Sequence, residues 1–249
     1  MIHAGKVALV IGASRNMGEM FAQAVAADGA AVAVHYNAAA SADAAHQVVA
    51  GIVAHGGQAA AFQADITQLP QLVGLFDAVE ARFGGIDIVI NTAGAIIKKP
   101  VSEVSEDEFD AVSAINSKAA FFTLREAARR LRDDGRIVSV STSLTAATTS
   151  LYGAYAGAKA ALEAYTRAVA KEIGHRGITV NALSPGPLDT AFFHANATPE
   201  AVAQAKKFSV TGELGQLADL VPLLRLLLAP GGRWITGQAI LINGGMVAR

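Results

Sequence analysis

The chain carries a tyrosine and a lysine four residues apart, Tyr155 and Lys159, in the stretch Tyr-Ala-Gly-Ala-Lys. On an α-helix this spacing puts both side chains on one face, so the phenol and the ammonium can lie side by side. A phenol has an ordinary pKa of about 10, and a fixed neighbouring cation favours its ionised form. The pair therefore predicts proton exchange at Tyr155, with Lys159 lowering the pKa of the phenol toward the working pH.

Three hydroxyl residues, Ser141, Thr142 and Ser143, stand at the end of a β-rich run that precedes this helix. A hydroxyl placed there can hydrogen-bond a substrate oxygen as negative charge develops on it. Asn116 lies in an apolar helical stretch. Because a buried amide needs hydrogen-bond partners, we expect Asn116 to bind backbone groups or water.

A glycine-bearing loop, Gly12 to Gly18, follows the first predicted strand and opens the first predicted helix. Gly12 permits a sharp turn, and Gly18 permits close packing of the helix on the strand. The free N–H groups at a helix N-terminus favour a pyrophosphate. The loop predicts a dinucleotide site, whose further candidate contacts are Ser14, Arg15, Asn16 and Met17.

The end of the second strand reads His35-Tyr36-Asn37 and contains no carboxylate. Enzymes that use NAD usually place an acid there to bind the ribose 2′-hydroxyl. Arg15 can instead meet a 2′-phosphate with two parallel hydrogen bonds. With His35, Tyr36, Asn37 and Ser41 as further contacts, the sequence predicts NADP(H) in preference to NAD(H).

Later strand ends supply the remaining candidate cofactor contacts. The carboxylate of Asp65 is predicted either to accept from the adenine amino group or to cap a helix, and the sequence leaves both roles open. Asn91 is expected to tie neighbouring strands, while small residues beside it let the backbone approach a flat ring. The other candidates at these ends are Ile66, Ala93 and Gly94, followed by Pro185, Gly186, Leu188 and Thr190 around the nicotinamide carboxamide.

The elements that must position these residues alternate between β-rich and helical patterns. Strands are predicted at 6–11, 31–35, 59–63, 86–91, 136–140, 179–183 and 239–242, and helices at 18–28, 41–55, 70–83 and 105–131, the last opened by a Ser105/Glu108 capping box. Nearly continuous apolar runs indicate strands covered on both faces. The pattern predicts an α/β fold: a single doubly wound parallel-sheet (Rossmann-type) domain of about seven strands, with helices on both faces and ligands at the carboxyl edge.

One domain is predicted over residues 1–249, with a substrate lid at about 191–214. Thr198-Pro199-Glu200 reads as the start of a short helix in that lid, and lids are mobile by necessity. The predicted pocket wall is largely apolar and consists of Ile96, Ile97, Leu144, Leu151, Phe192 and Phe193.

Composition excludes several classes of protein. The net charge of −1 gives no electrostatic reason to expect nucleic acid as a partner, and the absence of cysteine removes disulfides and thiolate metal sites. The six histidines are scattered, so no metal site is predicted. The chain has no run of about 18 apolar residues, so no membrane span is predicted. Because the N-terminal residues lead directly into a predicted strand, no signal peptide is expected. A cytoplasmic protein is expected, and the 52% share of hydrophobic residues favours a homo-oligomer.

These motifs together resemble the short-chain dehydrogenase/reductase family over essentially the whole chain. The matching pieces are Gly12…Gly18, Asp65, Asn91-Thr92-Ala93-Gly94, Asn116, Ser141-Thr142-Ser143, Tyr155…Lys159, Pro185-Gly186…Thr190 and Gly237-Gln238…Asn243-Gly244-Gly245. The branch of the family that the chain most resembles contains 3-oxoacyl-carrier-protein reductases and ketone reductases, which are commonly tetramers that use NADPH.

The resemblance implies roles for individual residues. Tyr155 would exchange the proton, Lys159 would also bind the nicotinamide ribose, and Asn116 would anchor a water chain to Lys159. The family's catalytic serine aligns with Thr142, which makes Thr142 the first candidate for the catalytic hydroxyl, ahead of Ser141 and then Ser143. The chain also departs from the family pattern at Ile11, Asn16 and Thr92, where Thr, Gly and Asn are usual.

The sequence thus predicts hydride transfer between NADP(H) and a ketone or secondary alcohol, with a 3-oxoacyl thioester as one substrate that fits. The alternatives are an NAD-dependent sugar or polyol dehydrogenase and a non-catalytic NADP(H)-binding regulator. Two lysine pairs, Lys98-Lys99 and Lys206-Lys207, give weak support for an acidic carrier protein as a partner.

Overall fold

A seven-stranded parallel sheet forms the centre of the molecule. The structure is a computed structural model that describes residues 1–147, 149–194 and 197–248, and of Phe192 it describes only the backbone. The strand order is β3-β2-β1-β4-β5-β6-β7. The strands are β1 (Val7–Ile11), β2 (Ala31–Tyr36), β3 (Gln58–Gln63), β4 (Ile88–Asn91), β5 (Arg136–Val140), β6 (Thr179–Pro185) and β7 (Ala239–Ile242). Because the order reverses between β1 and β4, the loops that follow these two strands open a crevice at the carboxyl edge.

Helices cover both faces of the sheet. They are α1 (Asn16–Ala27), α2 (Ala42–Ala54), α3 (Leu69–Phe83), α4 (Glu106–Ser113), α5 (Ala119–Arg130), α6 (Gly153–Ile173), α7 (Ala191–His194), α8 (Pro199–Phe208) and α9 (Val221–Leu228). One hydrophobic core lies between the sheet and α3, α5 and α6, and the other lies between the sheet and α1, α2 and α9. β1 is buried along its whole length, as its continuous apolar run predicts.

The predicted fold class is confirmed, and the differences are local. The Ser105/Glu108 capping box is present, with Glu108 N donating to Ser105 Oγ at 3.2 Å and Ser105 N donating to Glu108 Oε2 at 2.9 Å. The helix predicted over 105–131 is instead divided by a π-helical turn, Ala114–Lys118, between α4 and α5. Within the described ranges, no helix has both the length and the apolar character needed to cross a bilayer.

Candidate active site

The loop after β1 leaves the first turn of α1 open to a ligand. Arg15 is the N-cap residue of α1, and no side chain caps the helix there. The first amide N–H groups of a helix have no intrahelical acceptor, so they remain available to an anion. Gly12 has a φ of 79°, and a Cβ added at Gly18 would lie 2.1 Å from Gly12 O. Both glycines therefore hold the loop and the helix in close contact.

Asn16 adopts a left-handed backbone, with a φ of 52°, at the loop position where the family usually has glycine. Asparagine tolerates this region better than other non-glycine residues. We expect Asn16→Ala to lower the free energy of unfolding by about 1 kcal/mol, because alanine lacks the short amide whose local hydrogen bonding lets asparagine adopt this φ. Asn16→Gly should cost less, and urea unfolding measures both.

The control for this experiment is Asn37→Ala. Asn37 is exposed and is not among the residues with positive φ in the described chain. Equal losses of unfolding free energy in the Ala variants of Asn16 and Asn37 would contradict a conformational role for Asn16.

His35 lies beneath the loop and not on its ligand-facing side. The ring is 1% exposed, accepts from Gly12 N at Nδ1 (3.0 Å) and contacts Ala64 O through Nε2 at 2.8 Å. Burial lowers the pKa of His35 to about 4, so the neutral ring carries its proton on Nε2. His35 therefore supports the loop, and its expected direct contact with the cofactor is wrong for the side chain.

The residues predicted around a 2′-phosphate lie at the end of β2 and in the glycine loop. Arg15 is exposed, and its side chain makes no hydrogen bond or ion pair to the described residues. Tyr36 packs edge-on against His46, Asn37 is exposed, and Ser41 precedes α2 without capping it. Ser14 is half-buried in the turn, and Met17 is half-buried and packs against the core.

Asp65 does not cap a helix, which excludes one of its two predicted roles. The N-cap of α3 is Gln68, whereas Asp65 Oδ1 accepts from Thr67 N at 3.0 Å and Thr67 Oγ1 at 2.7 Å. Asp65 thereby stabilises its own turn, since a short acidic side chain can mimic a backbone turn. Ile66 is buried, so its side chain is not a ligand contact. Binding of adenine by Asp65 stays a prediction.

Thr92, not the side chain of Asn91, ties the end of β4 to the neighbouring loop. Asn91 Oδ1 accepts from Ala93 N at 3.1 Å within its own turn, so the expectation that Asn91 bridges strands is wrong for its side chain. Thr92 Oγ1 lies 2.8 Å from Ile11 O and 3.2 Å from Gly12 O. Sequence reasoning noted Thr92 only as a departure from the family pattern and missed this contact.

Of the three hydroxyl residues after β5, Thr142 is the one whose side chain lies close enough to the phenol of Tyr155 to affect its pKa. Ser141 Oγ donates to Glu163 Oε1 at 2.9 Å, and Ser143 Oγ donates to Ser184 O at 2.9 Å. Both serine hydroxyls are therefore directed beneath the site. The geometry favours Thr142 over Ser141 as the hydroxyl that faces a substrate.

Lys159 and Asn116 converge on Gly94. A Cβ added at Gly94 would lie 2.7 Å from Asn116 Oδ1 and 3.1 Å from Lys159 Nζ. The ammonium of Lys159 is buried and donates to Val140 O at 2.8 Å. The absence of a side chain at Gly94 lets the amide and the ammonium occupy the same small space.

Asn116 explains why the predicted long helix is interrupted. Its Nδ2 donates to Ala95 O at 2.7 Å and to Val112 O at 2.9 Å, and its Oδ1 accepts from Ala95 N at 3.3 Å. The expectation that this buried amide binds backbone groups is confirmed. π-helical turns inside α-helices are frequent at functional sites, and this one fastens the loop after β4 to the helix.

The expectation that Lys159 lowers the pKa of Tyr155 is wrong for this structure. Burial raises the pKa of Tyr155 to about 12, although the nearby Thr142 hydroxyl acts in the opposite direction. Burial also lowers the pKa of Lys159 to about 8. Desolvation disfavours the charged form of each group and is the largest cause of both shifts. The phenol is therefore held protonated at neutral pH.

The loop after β6 leads into the predicted lid, and hydrogen bonds fasten the lid to the rest of the molecule at both ends. Gly186 N donates to Ile242 O at 3.0 Å, Leu188 forms a parallel bridge with Gly215, and Thr190 Oγ1 accepts from Phe193 N at 3.1 Å. Pro185 is buried as the last residue of β6. At the far end of the lid, Val210 N donates to Gly244 O at 2.8 Å.

The predicted short helix in the lid is present as α8, with Thr198 Oγ1 accepting from Ala201 N at its start. The described residues do not include 195 and 196 or the side chain of Phe192, and the predicted wall contact of Phe192 lies outside them. The remaining predicted wall residues are Ile96, Ile97, Leu144 and Phe193, which are half-buried, and Leu151, which is exposed.

Leu151 has a left-handed φ of 74°, and its carbonyl accepts from Lys99 N at 2.8 Å. A bulky residue at positive φ is a strained outlier. The contact ties the loop after β4 to the segment that leads into α6. The two loops that flank Tyr155 are thus joined by backbone.

A cavity of about 740 Å³ lies at the opposite edge of the sheet, where Ile2 and Trp234 are among its lining residues. It includes none of the predicted site residues. The catalytic crevice at the carboxyl edge is identified by its side chains and not by an enclosed volume.

Comparison with known proteins decides the family. A family model described as enoyl-(acyl carrier protein) reductase matches residues 12–247. The hydroxynaphthalene reductase-like protein Arp2 of Metarhizium brunneum is 38% identical, over 98% of this chain and 96% of the relative. The chain belongs to the short-chain dehydrogenase/reductase family.

Solved structures of short-chain dehydrogenases/reductases share the whole fold. A putative dehydrogenase from Burkholderia cenocepacia with bound NADP superposes with a TM-score of 0.97 at 46% identity, covering 100% of this chain and 96% of that one. The angucycline C-6 ketoreductase LanV with bound NADP gives a TM-score of 0.91 at 34% identity, covering 98% and 96%.

Proposed function

We propose that this protein is an NADP(H)-dependent oxidoreductase that reduces a ketone to a secondary alcohol and also runs in reverse. The observation that carries the proposal is that the Tyr155 phenol lies near the Thr142 hydroxyl, one turn of α6 from the buried Lys159. Family membership and NADP-bound structural neighbours support the reaction class and the cofactor.

The residues present fit NADP(H). The uncapped first turn of α1, closed around Gly12 and Gly18, offers amide donors to a pyrophosphate. The exposed side chain of Arg15, which has no partner in the described chain, would bind the 2′-phosphate, since β2 ends without a carboxylate. Tyr155 and Lys159 would contact the nicotinamide ribose. When bound, the cofactor supplies the hydride.

The protein's own groups would manage the charge and the proton. Thr142 Oγ1 would donate to the ketone oxygen as negative charge develops, which lowers the barrier if the donor is already in place. Tyr155 would then deliver its proton to that oxygen. A pKa of about 12 suits this direction, because it keeps the phenol protonated at neutral pH. Lys159 and Asn116 would hold the polar environment behind the phenol.

The substrate class proposed is a hydrophobic or mid-sized ketone. The apolar wall residues Ile96, Ile97 and Leu144 support it, as does the resemblance to a hydroxynaphthalene reductase-like protein and an angucycline ketoreductase. A 3-oxoacyl thioester delivered by a carrier protein has less support. Lys99 is ion-paired with Glu108 at 2.7 Å, and Lys98 Nζ lies over the ring of Tyr152, so this lysine pair is already engaged.

The deciding experiment mixes the purified protein with NADPH and a panel of ketones and follows the loss of NADPH absorbance. The panel includes a bicyclic aromatic ketone, a 3-oxoacyl thioester and an aliphatic ketone. Turnover of at least one ketone is expected. Binding of NADPH without turnover would favour a non-catalytic regulator, and turnover of polyols with a preference for NAD would favour the polyol dehydrogenase alternative.

Arg15→Ala tests the cofactor assignment. We expect the Kd for NADPH to rise by roughly 10- to 100-fold, because a hydrogen bond to a charged group contributes about 1.5–3 kcal/mol. The Kd for NADH should change little, since NADH lacks the 2′-phosphate. Fluorescence titration with both nucleotides measures the two constants.

The control for Arg15 is Arg129→Ala, an exposed arginine on α5 that lies on the opposite helical layer. Equal weakening of NADPH and NADH binding by Arg15→Ala would contradict a contact with the 2′-phosphate.

A cytoplasmic homotetramer is the proposed form of the enzyme. Exposed aromatic side chains, among them Phe109 and Phe121 on α4 and α5, support burial against another subunit. Analytical ultracentrifugation tests the assembly.

A further inference from the structure

Glu163 is a buried carboxylate that the proposed chemistry does not use. It lies on α6 one turn beyond Lys159 and two turns beyond Tyr155, on the same side of the helix. Its exposed fraction is only 4%. A carboxylate removed from water is costly unless hydrogen bonds compensate for the lost hydration.

Three hydroxyl groups surround one oxygen of this carboxylate. Oε1 lies 2.9 Å from Ser141 Oγ, 2.7 Å from Thr145 Oγ1 and 3.2 Å from Ser184 Oγ. Because an ionised carboxylate only accepts hydrogen bonds, the hydroxyls are the donors. Thr145 Oγ1 also lies 2.8 Å from Thr142 O, so this hydroxyl reaches both acceptors.

The three donors come from segments that carry the proposed machinery. Ser141 immediately precedes Thr142, and Thr145 closes the turn after it. Ser184 lies in β6 and immediately precedes Pro185 and Gly186, the predicted nicotinamide contacts. A second bond, from Ser143 Oγ to Ser184 O at 2.9 Å, joins the same two strand ends.

We propose that Glu163 is a positioning residue: its buried carboxylate holds the end of β5, which carries Thr142, against the end of β6, which carries Pro185-Gly186. Glu163 itself touches neither the substrate nor the cofactor. The inference rests on the proposed function for the roles of those two strand ends. A displacement of about 1 Å in a catalytic group can reduce the rate by about 10²-fold, so a weakened link has a measurable effect.

Glu163→Gln is the informative variant, because it keeps the side-chain volume and one acceptor oxygen while removing the charge. Hydrogen bonds to a charged acceptor are roughly twice as strong as those to a neutral one. We expect kcat at saturating substrate to fall about tenfold and the Kd for NADPH to rise several-fold. The second effect has its origin at Ser184 and needs no turnover to be observed.

Two further variants separate positioning from general destabilisation. Thr166 is another buried polar residue of α6, and its Oγ1 bonds only Leu162 O among the described residues. Thr166→Val should therefore lower thermal stability while kcat and the affinity for NADPH are retained. Combining Ser141→Ala with Glu163→Gln should cost less in kcat than the product of the two single losses, since both variants break one link.

A Glu163→Gln variant that matches the wild type in NADPH affinity and in kcat would overturn the proposal. The proposal would also be overturned if Glu163→Gln lost no more kcat and NADPH affinity than Thr166→Val does at the same thermal stability. If the wild type reduces no ketone, the proposed function fails, and the NADPH affinities of the Glu163, Ser184→Ala and Thr166 variants still decide the positioning role.

Discussion

Tyr155→Phe should reduce kcat for ketone reduction by roughly 10²- to 10⁴-fold, the range in which a positioned proton donor contributes. The phenylalanine ring keeps the volume of tyrosine and lacks only the hydroxyl that Thr142 contacts. The neighbouring Ser141 and Ser143 hydroxyls are engaged beneath the site. NADPH oxidation with the best ketone of the panel measures the loss.

Tyr165→Phe is the matched control for this variant. Tyr165 lies on the same helix, and its hydroxyl contacts Ser117 Oγ at 3.1 Å. The control should keep its turnover although it also loses one hydroxyl. Turnover near the wild-type rate in the Tyr155 variant, with NADPH affinity intact in both, would exclude Tyr155 as the proton donor.

Desolvation of Tyr155 and Lys159 changes the electrostatic role expected for Lys159. An exposed Tyr–Lys pair would favour the phenolate, which is what the sequence spacing predicts. Here desolvation dominates at both groups, raising the pKa of Tyr155 and lowering that of Lys159. This arrangement favours proton donation by the phenol and suits the reductive direction. The oxidative direction needs the phenolate and is favoured by higher pH.

The strand and helix pattern was predictable because continuous apolar runs and glycine stops are local signals. β5 and β7 have the predicted bounds, and the Ser105/Glu108 capping box is formed. The sequence also places Tyr155, Lys159 and the Thr142 segment at one edge of a parallel sheet, since strand ends and following loops meet there. Family resemblance adds the individual roles.

The parts that could not be predicted depend on long-range contacts. The π-helical turn at Ala114–Lys118 is fastened by Asn116 to Ala95, a residue remote in sequence. The commitment of both nitrogens of His35 to Gly12 and Ala64 likewise requires three strand ends to meet. Glu163 gave no sequence signal, because a glutamate within a helix is usually solvated.

The second large effect is expected for a substitution at Gly18, where α1 packs on the glycine loop. An added Cβ would lie 2.1 Å from the carbonyl oxygen of Gly12 and 2.8 Å from Thr92 Oγ1, and the first of these is backbone that cannot rotate away. Gly18→Ala should therefore lower the free energy of unfolding by roughly 1–3 kcal/mol, as overpacking of a close contact does.

The same displacement should weaken NADPH binding. If the loop moves away from the N-terminus of α1, its amide groups no longer converge on a pyrophosphate. A loss of about 1.4 kcal/mol in binding free energy corresponds to a tenfold rise in Kd, and we expect at least that change. Urea unfolding and fluorescence titration measure the two quantities.

Gly51→Ala supplies the matched control, because Gly51 lies within α2 and an added Cβ would meet nothing within 4 Å. There alanine should raise the free energy of unfolding by roughly 0.5–1 kcal/mol, since glycine is the weaker helix former. Opposite signs for the same substitution would show that close approach to Gly12, and not helix propensity, requires glycine at position 18. Equal stabilisation of both variants, with NADPH affinity unchanged, would contradict the packing described for the loop.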